Sequence, residues 1–215
     1  MARTTNNTPR IALTVDVCAL AIDESSARLC VVKRKNAPHK GAWALPGGFA
    51  EAKEEIAESA RRELQEETGL VASELEPIGH FGAPGRDPRG RTVSLVYAAL
   101  FLGEEPELTP ADDAADAKWV DVHRPGKLAF DHKDIVKQTL AHLREMIELR
   151  GHLGPLLPRK FSMGDLRMIH DTLTGEDLDA DAFAARMRRN HTIVHAGKLD
   201  GRSALYRYKK VRTAR

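Results

Sequence analysis

The chain has 215 residues, 42% hydrophobic and 30% charged, with a formal net charge of +2 and a mean hydropathy of −0.40. That is enough to bury a core in one large or two small domains, and no apolar run approaches the roughly 20 residues of a membrane span. The two cysteines, Cys18 and Cys30, are too few for a disulfide framework or a cysteine-based zinc site.

Both cysteines lie in apolar, strand-like runs, as expected of buried thiols in a reducing compartment. With no signal-peptide pattern, a cytoplasmic location and no membrane partner are expected. Charge is unevenly spread. From Gly151 onward there are 13 Lys and Arg against 7 Asp and Glu, a net of +6, which leaves −4 for residues 1–150. Such asymmetry points to an acidic site domain followed by a domain for a polyanion.

Residues 1–10 are polar and predict a flexible tail. Residues 11–22, apolar and β-branched, predict a long central strand, and 28–35 a second one. The stretch 41–70, GAWALPGGFAEAKEEIAESARRELQEETGL, then joins a tight Gly-rich turn to a single helix. Pro46, Gly47 and Gly48 supply the turn, with glycine letting the backbone approach a ligand closely. The helix is predicted over 54–68, ended by Gly69. Ile56, Ala60 and Leu64 form its apolar stripe. Glu63, Glu66 and Glu67, at i, i+3 and i+4, share one face. Three like charges so placed repel unless a cation sits among them. Their hard oxygens suit Mg²⁺, which binds through a few carboxylates plus ligand phosphates.

Gly48, five residues, Glu54, seven residues, then Arg62 through Leu70 resembles the Nudix box at every specified position. The resemblance implies an α/β/α sandwich with a mixed sheet. It also implies Mg²⁺ or Mn²⁺ held by Glu63, Glu66, Glu67 and the Gly48 carbonyl, with Glu54 and Arg62 bracing the loop and helix. In Nudix enzymes the metals neutralise a diphosphate and activate water. The implied catalytic set is therefore Glu54, Arg62, Glu63, Glu66 and Glu67, with Gly47 and Gly48 at the ligand.

Further strands are predicted over 75–82, 92–102 and 118–122. Residues 82–91, between two of them, form a Pro/Gly-rich tip with three arginines, similar to the Nudix branch that handles ADP-ribose. Arginine forks match diphosphate geometry, so Arg86 and Arg89 are expected at the ligand. The acidic run 111–116 offers Asp112, Asp113 and Asp116 as a further ligand or base, or as a solvated loop, and the general base stays unassigned. Residues 130–149 predict a helix with Ile135, Leu140, Leu143 and Ile147 on its apolar side and Asp131 as N-cap. His132, at its start, is either functional or, as is commoner, a hydrogen-bonded helix-start histidine. Residues 11–150 thus make up the Nudix domain, and 151–160, with two Gly and two Pro, the linker.

Residues 161–215 carry a second pattern. Ser162 and Asp165 resemble a capping box ahead of a helix striped by Met163, Leu166, Ile169 and Leu173. Asp179 or Asp181 caps a second helix that buries Phe183 and Met187 and leaves Ala182, Ala185, Arg186, Arg188 and Arg189 on the opposite side. A strand from 193, a basic tip over 197–202 and a strand over 204–208 complete the order of a winged helix-turn-helix. Arg186, Arg188, Arg189, Lys198, Arg202 and Arg207 are the expected DNA contacts. Following a Nudix domain, this resembles the Nudix-related transcriptional regulators of NAD metabolism, the NrtR family. One departure is Ala182-Phe183-Ala184-Ala185 where that family has Asn-Phe-Arg-Arg; another is Ser203 where it has Pro.

The resemblance implies a homodimeric repressor of NAD-biosynthesis genes that binds double-stranded operator DNA and senses ADP-ribose or a related NAD metabolite. The other reading is a Mg-dependent ADP-ribose pyrophosphatase with a C-terminal oligomerisation domain, and hydrolysis is compatible with both.

Overall fold

The computed structural model describes residues 10–23, 26–110, 114–150, 153, 156–157, 160–176, 178–189, 193–199 and 203–208. Apart from Arg10, the expected tail lies outside the described residues, as do Asp112, Asp113 and Arg202. Strand β1 (Ala12–Ile22) pairs in parallel with β6 (Thr92–Leu102) and antiparallel with β2 (Ala27–Arg34) and β4 (Gly47–Phe49). Strand β2 also pairs with β3 (Trp43–Ala44) and β7 (Ala114–Asp121), and β5 (Glu76–Phe81) closes the other edge against β6. The result is a seven-stranded mixed sheet.

The weak alternation of β1 has a simple cause: both faces of the strand are covered. Val15, Val17 and Ala19 pack with Ala60 and Leu64 of helix α1 (Ile56–Thr68), whereas Cys18, Leu20 and Ile22 pack with Ile135, Leu143 and Ile147 of helix α2 (His132–Arg150). Helix, sheet and helix form the expected sandwich. Both cysteines are buried free thiols, and burial pushes their pKa up, for Cys18 to about 12.

Several boundaries differ from the sequence expectation. Helix α1 begins at Ile56, with Glu55 and Glu58 forming its capping box, and ends at Gly69 in the left-handed region (φ 77°). The pre-helix turn contains two short strands, β3 and β4. The last sheet strand starts at Ala114, so Asp116 is exposed on a strand rather than held in a loop.

The C-terminal unit has helices α3 (Met163–Thr174) and α4 (Ala180–Arg189) and a three-stranded sheet. Its strands are β8 (Phe161–Ser162), β9 (Ile193–Leu199) and β10 (Ser203–Tyr208), ordered β8-β10-β9. Phe161 and Ser162, expected only to open a helix, also form an edge strand. Gly197 and Lys198, expected in the hairpin tip, belong to β9. Leu153, Leu156 and Leu157 of the 151–160 segment are buried in the core shared by α2, α3 and α4. Among the described residues, no helix is long and apolar enough to cross a membrane.

Candidate functional site

β1, the 45–49 loop, α1, the 82–91 loop and the start of α2 enclose a cavity of about 450 Å³. The backbone at Gly48 passes so close to the Glu63 carboxylate that a Cβ there would sit 2.4 Å from it, so a larger residue would push that carboxylate out of its present place. The Gly47 N–H donates to Glu67 Oε2 at 2.9 Å. Loop and helix are thereby fixed to each other through the side chains that the box pattern singles out.

Arg62 ties this corner together. Its Nε donates to Glu54 Oε1 at 3.0 Å, its Nη1 to Glu63 Oε1 at 2.8 Å and Glu66 Oε2 at 3.1 Å, and its Nη2 to the Phe49 carbonyl at 3.4 Å. Glu54 also accepts the Ser59 hydroxyl at 2.7 Å, and the Arg62 and Ser59 bonds hold its carboxyl below the usual range. Glu63 and Glu67 line the cavity, whereas Glu66 stands beside it with its side chain 47% exposed. Burial pushes Glu67 up to about 7; the Gly47 N–H opposes the rise and the charge of Glu63 adds to it.

Among the described residues, no group of three or more His, Cys, Asp or Glu is preassembled as a metal cage. The donor set nevertheless fits a hard divalent cation. Glu63 is pressed against the Gly48 backbone, and Glu67 is a half-buried carboxylate whose ionisation is opposed chiefly by the desolvation it does suffer. Magnesium normally needs only one or two carboxylates, with waters and ligand phosphates completing its shell.

The two arginines expected at the ligand both line the cavity, but each is engaged by an acid. Arg86 makes a two-pronged pair with Asp131, at 2.9 and 2.7 Å, and lies 3.5 Å from Asp16 Oδ2. Asp131, expected as an N-cap, thus gives its carboxylate to Arg86, and its backbone carbonyl accepts the first-turn N–H groups of Asp134 and Ile135. Arg89 pairs with Asp87 at 2.7 Å and lies over the Phe49 ring at 5.2 Å from the centroid.

His132 is buried. Its Nδ1 accepts the Leu45 N–H at 2.8 Å, which places the ring proton on Nε2, 3.5 Å from Asp16 Oδ1. Burial lowers its pKa, so the neutral ring anchors the loop. Sequence reasoning missed Asp16, Arg34 and Phe130, which also line the cavity. Nothing in their local pattern distinguishes them; they come from β1, the end of β2 and the segment just before α2, which only the folded sheet and helix bring together.

In the C-terminal unit, α4 buries Phe183, Ala184 and Met187 and leaves Ala182, Ala185, Arg188 and Arg189 exposed, with Arg186 half-buried. Lys198 on β9 and Arg207 on β10 are exposed as well. Asp179 Oδ1 accepts the N–H groups of Asp181 and Ala182 and caps the helix.

A sandwich carrying this loop and helix defines the class, a Nudix domain, and the NUDIX domain family model matches residues 12–142. The ADPR responsive transcriptional repressor NtrR of Acinetobacter baylyi is 30% identical over 93% of this chain and 83% of its own length. An ADP-ribose pyrophosphatase of Methanocaldococcus jannaschii is 43% identical over 57% of this chain and 73% of its own length. Crystal structures of Shewanella oneidensis NrtR superpose on it, one with a TM-score of 0.71 at 28% identity, covering 92% of this chain and 94% of the other. A second, with a 27mer DNA, gives 0.66 at 25% identity, covering 92% and 93%. The chain belongs to the Nudix family and, over nearly its whole length, to the NrtR-type regulators within it.

Proposed function

We propose that this protein is a ligand-gated transcriptional repressor of NAD-biosynthesis genes. The observation that carries this is the joining, in one chain, of an intact Nudix cavity and a helix whose exposed face is arginine, in a full-length relative of an ADPR-responsive repressor. ADP-ribose or a related NAD metabolite occupies the cavity. Arg186, Arg188, Arg189, Lys198, Arg202 and Arg207 meet double-stranded operator DNA. A homodimer sets two winged units on two half-sites. Glu63, Glu67 and the Gly48 carbonyl, with Glu66 at the rim, hold Mg²⁺ or Mn²⁺, which when bound neutralises the diphosphate. Glu54 and Arg62 keep that corner rigid.

Ligand controls DNA binding only through a difference in its affinity for the bound and free arrangements of the protein. An electrophoretic shift with promoter DNA of NAD-biosynthesis genes is expected to show a complex at low salt that ADP-ribose changes. In Arg188→Ala/Arg189→Ala, loss of two phosphate contacts flattens the plot of log affinity against log salt by about 2. No complex at low salt removes the repressor reading, and an unchanged double variant removes α4 from the interface.

A second reading, a pyrophosphatase, is favoured by the complete set Glu54, Arg62, Glu63, Glu66 and Glu67 and by the pyrophosphatase relative. Release of AMP from ADP-ribose with Mg²⁺, at a typical enzyme rate of about 10 per second, would establish it. The two activities are compatible in one chain.

A further inference from the structure

Among the described residues four arginines line the cavity, and three of them are held by acids. Arg62 binds Glu54, Glu63 and Glu66; Arg86 binds Asp131 and Asp16; Arg89 binds Asp87. Arg34 differs. Among the described residues no carboxylate comes within ion-pair distance of it, yet it is half-buried at the end of β2. Its position is nonetheless well fixed. Its backbone N–H donates to the Ala42 carbonyl at 3.0 Å, and its own carbonyl accepts the Gly41 N–H at 2.8 Å. Its side-chain Nε donates to the Pro38 carbonyl at 2.9 Å, and its guanidinium lies 4.8 Å from the centroid of the Phe130 ring.

Phe130 is an unusual platform. It has φ of 52°, a left-handed conformation that a bulky residue adopts only when its surroundings impose it. The His39 and His132 rings hold it, at centroid distances of 4.6 and 5.3 Å. The fold thus maintains an uncommon backbone at the cavity wall and rests a guanidinium on the ring so placed.

We propose that Arg34 is the residue that receives a phosphate of the cavity's ligand, an anion contact from the end of β2 in a cavity that the carboxylates of α1 also line. The inference rests on the diphosphate-ligand reading of the cavity given above. A guanidinium is planar and presents a fork that matches phosphate oxygens, which an ammonium does not. Burial disfavours its charge, and the nearby charge of Arg89 does so further, while Glu67, Asp87 and Asp16 lie too far for direct pairing and offset this only in part. A bound anion would relieve both costs. Glu63 and Glu67 in the same cavity repel a phosphate until a cation lies between, so cation and guanidinium serve one ligand in different ways.

The competing explanation is that Arg34 merely packs against Phe130 and pins the 34–38 turn. Calorimetric titration of the full chain with inorganic pyrophosphate and with ADP-ribose, in Mg²⁺, separates the two. Arg34→Gln is expected to weaken both ligands by at least about tenfold, the scale of one charged hydrogen bond, and to flatten the salt dependence of pyrophosphate binding. Arg34→Lys, which keeps the charge and loses the fork, is expected to recover part of the loss. Wild-type affinity for both ligands in Arg34→Gln overturns the proposal. If Arg34→Gln does not fold, wild-type affinity in Arg34→Lys overturns it instead. If the wild-type protein binds neither ligand, the parent reading of the cavity falls and takes this inference with it; normal wild-type binding with an unaffected variant defeats this inference alone.

Discussion

Glu67 illustrates how much of the site is set by one side chain's surroundings. Its carboxyl is pushed up to about 7 chiefly by burial, so without metal the folded protein takes up a proton there well above the usual carboxylate range. An acid with a raised folded pKa contributes stability that is complete below its unfolded value of about 4.3 and lost as pH rises through 7. The melting temperature of the metal-free protein should therefore carry a falling component between about pH 4.5 and 7. That component is worth up to about 3 kcal/mol at 1.36 kcal/mol per pKa unit, and Glu67→Gln should remove it. Thermal melts of both proteins over this range check the sign, and a wild-type curve parallel to the variant's defeats it. The glutamates were legible because their spacing along one helix is the signal. Asp16, Arg34 and Phe130 were not, because they lie on β1, at the end of β2 and ahead of α2, and no local pattern joins them. Arg86 was legible as a cavity residue but not as one engaged by Asp131, since that partner lies in a distant segment.

Elements with strong local chemistry were read closely from sequence, and those that depend on pairing were not. The capping box of α3 is present, with Ser162 Oγ accepting the Asp165 N–H at 3.0 Å and Asp165 accepting the Ser162 N–H at 2.8 Å. Leu166, Ile169 and Leu173 are buried beneath it as the helical spacing predicts. Strands β3, β4 and β8 have only two or three residues each, too short for a period to show, and exist because a neighbouring strand offers its edge. The early start of β7 has the same origin: Ala114 pairs with Arg34 across a register shift in β2. Because Ser162 both caps α3 and ends β8, Ser162→Ala should cost about 1 kcal/mol and lower the melting temperature by a few degrees. A calorimetric scan indistinguishable from wild type would show that the cap is dispensable.

At the scale of the molecule, the two units share one core rather than hanging on a tether. Leu143, Met146 and Ile147 of α2 run into Leu153, Leu156 and Leu157 and on to Leu166, Ile169 and Leu173 of α3. Two polar contacts cross the same junction: His123 Nε2 lies 3.1 Å from the Thr172 carbonyl, and Arg144 Nε donates to the Leu173 carbonyl at 2.5 Å. Both carbonyls lie in the last turn of α3, where the backbone lacks helical partners and favours a cation. A change in α2, whose first turn is held at the cavity by Arg86 and His132, thus has a rigid route to the helix that supports α4. If that route couples the sites, linkage requires the factor by which ADP-ribose changes DNA affinity to equal the factor by which DNA changes ADP-ribose affinity. Arg144→Ala should move both factors toward one together, while ADP-ribose affinity without DNA stays near wild type because Arg144 lies outside the cavity. Paired titrations of DNA by fluorescence anisotropy and of ADP-ribose by calorimetry measure the two factors. A variant that keeps the full coupling would place the route elsewhere in the shared core.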